Sequence, residues 1–337
     1  MEMELGSPVG YSQSGQQRRL RIGSVHSRTV RAMATIPDQH GRRIIITGSN
    51  SGTGREAARR LAAAGADVTM AVRSVEKGED ARSAILAESP SATIAVRQLD
   101  LADLASVRAF ADALLTDGTP VDVLVNNAGV MFPPKRILTA DGFELQFGTN
   151  FLGPFALTNL LMPLLLRGDS PRVATMSSLA ASFGSIRFHD LQWAQSWSSA
   201  RAYAQSKLAD LLMGQHLARL ATERGLPLMS TIAHPGYTRT NLQQAGRSLG
   251  REKPVSGSGI DRPRPWNQAV EQGTEPLLFA AVGRGAQNGV YYGPNGFLGL
   301  TGPTTVASVP RAARGTDLAA SLWSVAERLT GTSFHTD

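Results

Sequence analysis

From Gly41 onward the chain alternates short apolar runs with stretches of helical periodicity. Ile44–Ile46 is a continuous apolar run, as expected of a strand buried on both faces. Residues 52–64 then repeat Ala and Leu at helical spacing. The rhythm continues with a strand over Asp67–Val72 and a helix over Val75–Glu88. A strand over Ala92–Leu99, a helix over Ala102–Leu115 and a strand over Val121–Val125 follow. Farther along, Val173–Met176 and Leu228–Ile232 read as strands. Long helical stretches over Gly142–Leu166 and Ala200–Arg224 precede them, and a last helix spans Thr316–Leu329. Strands alternating with helices of ten residues or more imply an α/β fold: a doubly wound parallel sheet with helices on both faces. There is no internal repeat and no second core, so the expectation is a single domain over 41–337. Residues 243–265 break the pattern, being rich in Gly, Ser, Pro and Arg without periodicity. They are expected to form a substrate loop near 241–267.

Residues 1–40 carry Arg18, Arg19, Arg21, Arg28 and Arg31 against only Glu2 and Glu4 before Asp38. This arm reads as basic and disordered. It lacks the apolar stretch of a secretory signal. An Arg-rich, acid-poor arm also fits a transit peptide, or an over-long start with the initiator at Met33. The net charge of +7 is otherwise dispersed, which suits a solvated surface and no specific nucleic-acid partner. With no cysteine among 337 residues, disulfides, thiol nucleophiles and thiolate metal sites are excluded. The most apolar stretch, residues 151–166, contains two prolines and is too short to span a membrane, so a cytoplasmic protein is expected.

Two segments carry chemistry. Directly after Ile44–Ile46 comes Thr47-Gly48-Ser49-Asn50-Ser51-Gly52-Thr53-Gly54. A strand ending in glycines and leading into a helix gathers backbone N–H groups and the positive helix terminus at one spot, which suits a dinucleotide pyrophosphate. The second strand ends at Arg73, with Lys77 a turn later and no carboxylate to meet a ribose 2′-hydroxyl. Arginine there favours a 2′-phosphate, so NADP(H) is the preferred cofactor and NAD(H) the alternative. Asp100 and Leu101, closing the third strand, are placed to meet the adenine. The other segment is Tyr203-Ala-Gln-Ser-Lys207, with Ser178 upstream. Four residues apart on a helix, Tyr203 and Lys207 share a face. An ammonium beside a phenol lowers its pKa from ~10 by ~1–3 units, which makes a proton-transfer pair.

These motifs occur with Asn127-Ala128-Gly129, Asn150, and Pro235-Gly236 running through Thr238 to Thr240. In this order the chain, from about Gly41 to its C-terminus, resembles the short-chain dehydrogenase/reductases and their Rossmann fold. The resemblance implies Tyr203 as general acid/base, Lys207 as its partner and ribose ligand, and Ser178 as a donor to the substrate oxygen. It implies Asn150 as the holder of a relay water, and the other motif residues as walls of the cofactor cleft. The position two before Thr240, usually Val or Ile in the family, is Thr238 here. The long insert between Ser178 and Tyr203, with Trp193 and Trp197, is similar to the retinol dehydrogenase and WW-domain oxidoreductase branch. The resemblance thus implies a carbonyl reductase or alcohol dehydrogenase acting on an apolar, bulky substrate. Trp193, Trp197 and Trp266 are candidates to line its pocket. The family also contains dinucleotide-binding sensors with little turnover, and that alternative stands beside the enzyme. A homodimer or homotetramer is in keeping with the family. No spacing supports a metal site, so His189 and His234 read as structural.

Overall fold

A computed structural model describes residues 36–249, 251 and 262–334. The arginines of the basic arm and residues 252–261 lie outside the described residues. Residues just before Gly41 already belong to the body: Ile36 packs on the core, and Gln39 donates its N–H to the Ala64 carbonyl.

The parallel core of the sheet is β1 (Arg43–Thr47), β2 (Asp67–Val72), β3 (Thr93–Gln98), β4 (Val123–Asn126), β5 (Arg172–Met176), β6 (Met229–Ala233) and β7 (Tyr291–Pro294). A short β8 (Thr304–Val306) pairs antiparallel with β7. The order across the sheet is β3-β2-β1-β4-β5-β6-β7-β8. Strand side chains alternate between two cores, as the two-residue pleat requires. Ile45, Leu124 and Val173 face one core, and Ile44, Ile46, Val123, Val125 and Ala174 face the other. The first core is covered by α3 (Leu104–Asp117), α5 (Gly153–Leu160), α7 (Ser199–Glu223) and α10 (Thr316–Thr330). The second is covered by α1 (Gly52–Ala63), α2 (Val75–Glu88) and α9 (Val270–Val282). The doubly wound α/β reading of the sequence therefore holds.

After β3 the chain crosses to the far side of β1 and continues as β4. Strand order thus reverses between β1 and β4, and a crevice opens beyond their carboxyl ends.

One stretch departs from the expected elements. Residues 142–166 are not one helix. They form α4 (Leu145–Phe147), a π-helical turn Gly148–Leu152, then α5, then α6 (Met162–Leu165). Pro154 and Pro163 each begin a new helical segment, because proline lacks the N–H that would continue the ladder behind it. The expected aperiodic loop also begins with a helix, α8 (Leu242–Ser248). No helix among the described residues is long and apolar enough to cross a membrane.

Candidate active site

The crevice holds a cavity of about 770 Å³. Gly48, Gly52 and the start of α1 form its floor. Close approach explains the glycines. A Cβ on Gly54 would meet the Asn127 amide and the Gly48 carbonyl, and Gly48 and Gly52 have φ of +65° and +55°. Backbone N–H groups at the α1 N-terminus are thereby left facing open space, as a pyrophosphate requires. Asn50, Ser51 and Thr53 line the cavity. Ser49 does not; it is buried and donates its hydroxyl to the Ile46 carbonyl. Gly54 likewise acts behind the wall.

At one end stand Arg73, Ser74 and Lys77, joined by Arg55 from α1. Among the described residues none of these three cations has an ion-pair partner. Asp100 lines this region too, while its Oδ1 accepts the Ala102 N–H at 2.9 Å, so it also makes the turn. Leu101 lies beside it. Asn127, Ala128 and Gly129 flank the floor, and Pro235, Gly236, Thr238 and Thr240 close the opposite side. The site therefore fits a nicotinamide dinucleotide: a glycine cradle, a helix N-terminus and, at one end, three cations without an ion-pair partner among the described residues.

The other end carries the candidate proton-transfer groups. Ser178, Tyr203 and Lys207 all line the cavity. Helical spacing places Tyr203 and Lys207 on one face of α7. Ser178 follows β5 and caps the next turn, its hydroxyl accepting the Ala180 N–H at 3.2 Å. The neighbouring Ser177 is buried and donates to the Lys207 carbonyl at 2.7 Å, so it fixes α7. Tyr203 is 6% exposed and meets Phe132 edge-on, ring centroids 5.4 Å apart. Burial pushes its phenol above the ordinary value. The Lys207 charge and the Ser178 hydroxyl oppose this, and Asp210 adds to it. Lys207 Nζ donates to the Met176 carbonyl at 3.0 Å and to Asp210 Oδ2 at 2.8 Å. Burial lowers the Lys207 pKa, but the Asp210 charge, the Tyr203 phenol and the hydrogen bond to Asp210 together outweigh it and hold the ammonium above its ordinary value.

Asn150 lies in the π-helical turn, 2% exposed and behind the wall. Its Oδ1 accepts the Val130 N–H at 2.7 Å, and its Nδ2 donates to the Val130 carbonyl and to Ser206 Oγ. Those bonds join the loop after β4 to α7. The tryptophans expected to line a substrate pocket do not reach this cavity. Trp193 is buried under the Arg187 guanidinium, Trp197 donates to Glu144 Oε1, and Trp266 lies on the surface by Arg264. The apolar wall comes instead from Val130, Met131, Leu242, Ala245 and Leu249. Sequence reading missed Leu242, Ala245 and Leu249 because it took the residues after Thr240 as a loop. His234 is buried, its Nδ1 accepting the Gly236 N–H, whereas His189 is exposed beside Arg187.

The short chain dehydrogenase family profile matches residues 42–249. Retinol dehydrogenase 12 of Mus musculus is 46% identical over 202 residues, which is 60% of this chain and 63% of that protein. The chain thus spans less than two thirds of that relative's length. A solved structure of an uncharacterized protein from Mycobacterium paratuberculosis superposes with a TM-score of 0.73 at 39% identity, covering 92% of this chain and all of that one. A short chain dehydrogenase from Burkholderia cenocepacia J2315, solved in complex with NADP, superposes at 0.57 with 25% identity, covering 75% of this chain and 96% of that one. With its glycine cradle and its tyrosine and lysine on one helix face, this chain belongs to the short chain dehydrogenase family of oxidoreductases, on the retinol dehydrogenase branch.

Proposed function

We propose that the protein is an NADP(H)-dependent oxidoreductase that interconverts a carbonyl and an alcohol on an apolar, bulky substrate. The observation that carries this reading is one continuous cavity. Ser178, Tyr203 and Lys207 stand at one end, Arg55, Arg73 and Lys77 at the other, and apolar residues of α8 line the same cavity. A bound nicotinamide would supply the hydride donor or acceptor.

The side chains supply the rest. Tyr203, kept protonated by burial, gives its proton to the substrate oxygen in reduction and takes it back in oxidation. Such general acid catalysis contributes about 10²–10⁴-fold. Ser178 and Tyr203 both donate toward the oxygen on which charge develops, stabilising it in a partly dry site. Lys207 keeps a positive charge next to the phenol and would hold the nicotinamide ribose of a bound cofactor. Asn150 holds the loop and α7 together beneath them. The names of the relatives favour a long polyene alcohol or aldehyde as substrate, and the apolar wall is in keeping with it.

The test is oxidation of NADPH and NADH by the purified protein against aldehydes and ketones, with retinal among them and Tyr203→Phe alongside. Turnover with NADPH that disappears in the variant supports the reading. Tight NADPH binding without turnover on any carbonyl would replace it with a dinucleotide sensor.

A further inference from the structure

Asp210 lies one helical turn beyond Lys207 on α7 and is fully buried. Its Oδ2 accepts from Lys207 Nζ at 2.8 Å, while its Oδ1 has no hydrogen-bond partner. A buried carboxylate with an empty oxygen is destabilising unless something offsets it. Holding the lysine in place does not by itself call for a charge. The Met176 carbonyl already orients the ammonium from β5, and a neutral amide at position 210 could accept the same bond. What the carboxylate adds is negative charge beside the lysine.

The sign of that charge matters to Tyr203. An ammonium alone draws a phenol toward phenolate, while a carboxylate pushes it back. We propose that Asp210 is a positioning residue that holds Lys207 and screens its charge from Tyr203, so that the site keeps a protonated phenol at neutral pH and is set for carbonyl reduction. The choice of direction rests on the oxidoreductase reading above; the effect on the phenol does not.

The other titratable groups around Asp210 fit this role. Tyr203 and Lys207 face it from its own helix, and Tyr291 faces it from β7. Tyr291 is itself pushed far up by burial and stays neutral, and its hydroxyl donates to the Ser178 carbonyl at 3.2 Å. No second cation among the described residues acts on Asp210, so Lys207 and Asp210 form a nearly neutral unit next to the phenol. Burial lifts the Asp210 carboxyl to about 7 despite the lysine, so the screening is present above neutrality and fades on acidification.

The experiment is a phenolate titration by near-ultraviolet absorbance of the full-length chain. Subtracting Tyr203→Phe isolates the Tyr203 signal, and the same pair is compared in the Asp210→Asn background. The expected result is a Tyr203 midpoint at least one pH unit lower in Asp210→Asn, with the Lys207 bond retained by the amide. An unchanged or higher midpoint overturns the proposal and leaves Asp210 a packing residue. Should Asp210→Asn fail to fold, Lys207→Met decides, again with Tyr203→Phe subtracted. A Tyr203 midpoint within about half a pH unit of wild type supports screening, and a larger rise, as loss of an unscreened ammonium would give, overturns it. The titration needs no substrate. A protein inactive on every carbonyl would still report the midpoint, and an active one could still refute the screening.

Discussion

Thr47 Oγ1 accepts two backbone N–H groups at once, those of Asn127 and Ala128, each at 3.0 Å. Asn127 returns the contact through Nδ2 to the Thr47 carbonyl at 2.9 Å, and its Oδ1 takes the Thr53 hydroxyl at 2.8 Å. The ends of β1 and β4 and the start of α1 are therefore locked together beneath the cofactor cleft. Thr47→Val keeps the shape but leaves two donors without an acceptor, a loss of about 2–6 kcal/mol when each costs ~1–3. Urea unfolding should show that loss, and NADPH titration should show weaker binding. Full stability in the valine variant would mean that water replaces the hydroxyl.

On the proposed reading, Arg73 sets the preference for NADP(H) over NAD(H). A charge-assisted bond to a 2′-phosphate is worth roughly 1.5–3 kcal/mol, so Arg73→Ala should weaken NADPH by about ten- to a hundredfold. NADH, lacking that phosphate, should change by less than about threefold. Equal losses for the two cofactors, measured by fluorescence titration, would remove Arg73 from the phosphate and leave Arg55 and Lys77 as its ligands.

Gly246 lets α8 press on the loop after β4. A Cβ there would fall on the Met131 carbonyl, so Gly246→Ala must lift the helix away from the cavity. The expected outcome is a severalfold rise in KM for bulky apolar carbonyls, with the melting temperature nearly unchanged. A large fall in melting temperature with KM intact would make α8 part of the body rather than a wall of the pocket.

Burial holds both His216 and His234 neutral, each lowered to about 4, with Arg219 reinforcing the effect at His216. In the unfolded chain these imidazoles titrate near 6.5, so the unfolded state binds more protons between the two values. Stability is therefore lost as pH falls from about 6.5 to 4, by about 3 kcal/mol for His234 alone. Asp210 runs the other way, because its carboxyl, raised to about 7, is protonated in the fold before it is in the unfolded chain. Two imidazoles against one carboxyl leave a net acid loss. Thermal melts across this range should show it, with a shallower slope in His234→Asn. A flat profile would place a counter-charge beside His234 that the fold does not show.

Much of this architecture is legible in one dimension. Ile44–Ile46 could only be a strand buried on both sides, and the glycines after it could only turn into a helix. Tyr203 and Lys207 announce their common face by spacing alone. Other features depend on contacts that no local pattern carries. Residues 142–166 look like one helix because their apolar content never lapses, yet the prolines and the π-helical turn divide them. The second half of α9, residues 276–282, is an unbroken buried apolar run that starts at Pro276, so it shows neither amphipathic period nor strand alternation. Strands β7 and β8 are four and three residues long and are recognised by pairing, not by sequence. The tryptophans suggested a pocket by type, but burial places Trp193 under a guanidinium instead. Asp210 reads as an ordinary helix charge until the fold encloses it.

The π-helical turn at Gly148–Leu152 makes chain length itself a constraint. Removing one residue there would restore the ordinary pitch and swing the preceding segment about 100° around the helix axis. Asn150 would then lose its register with Val130 and Ser206, although no side chain had been altered. In this stretch substitutions are read one by one, whereas an insertion or deletion is read by every residue on one side of it.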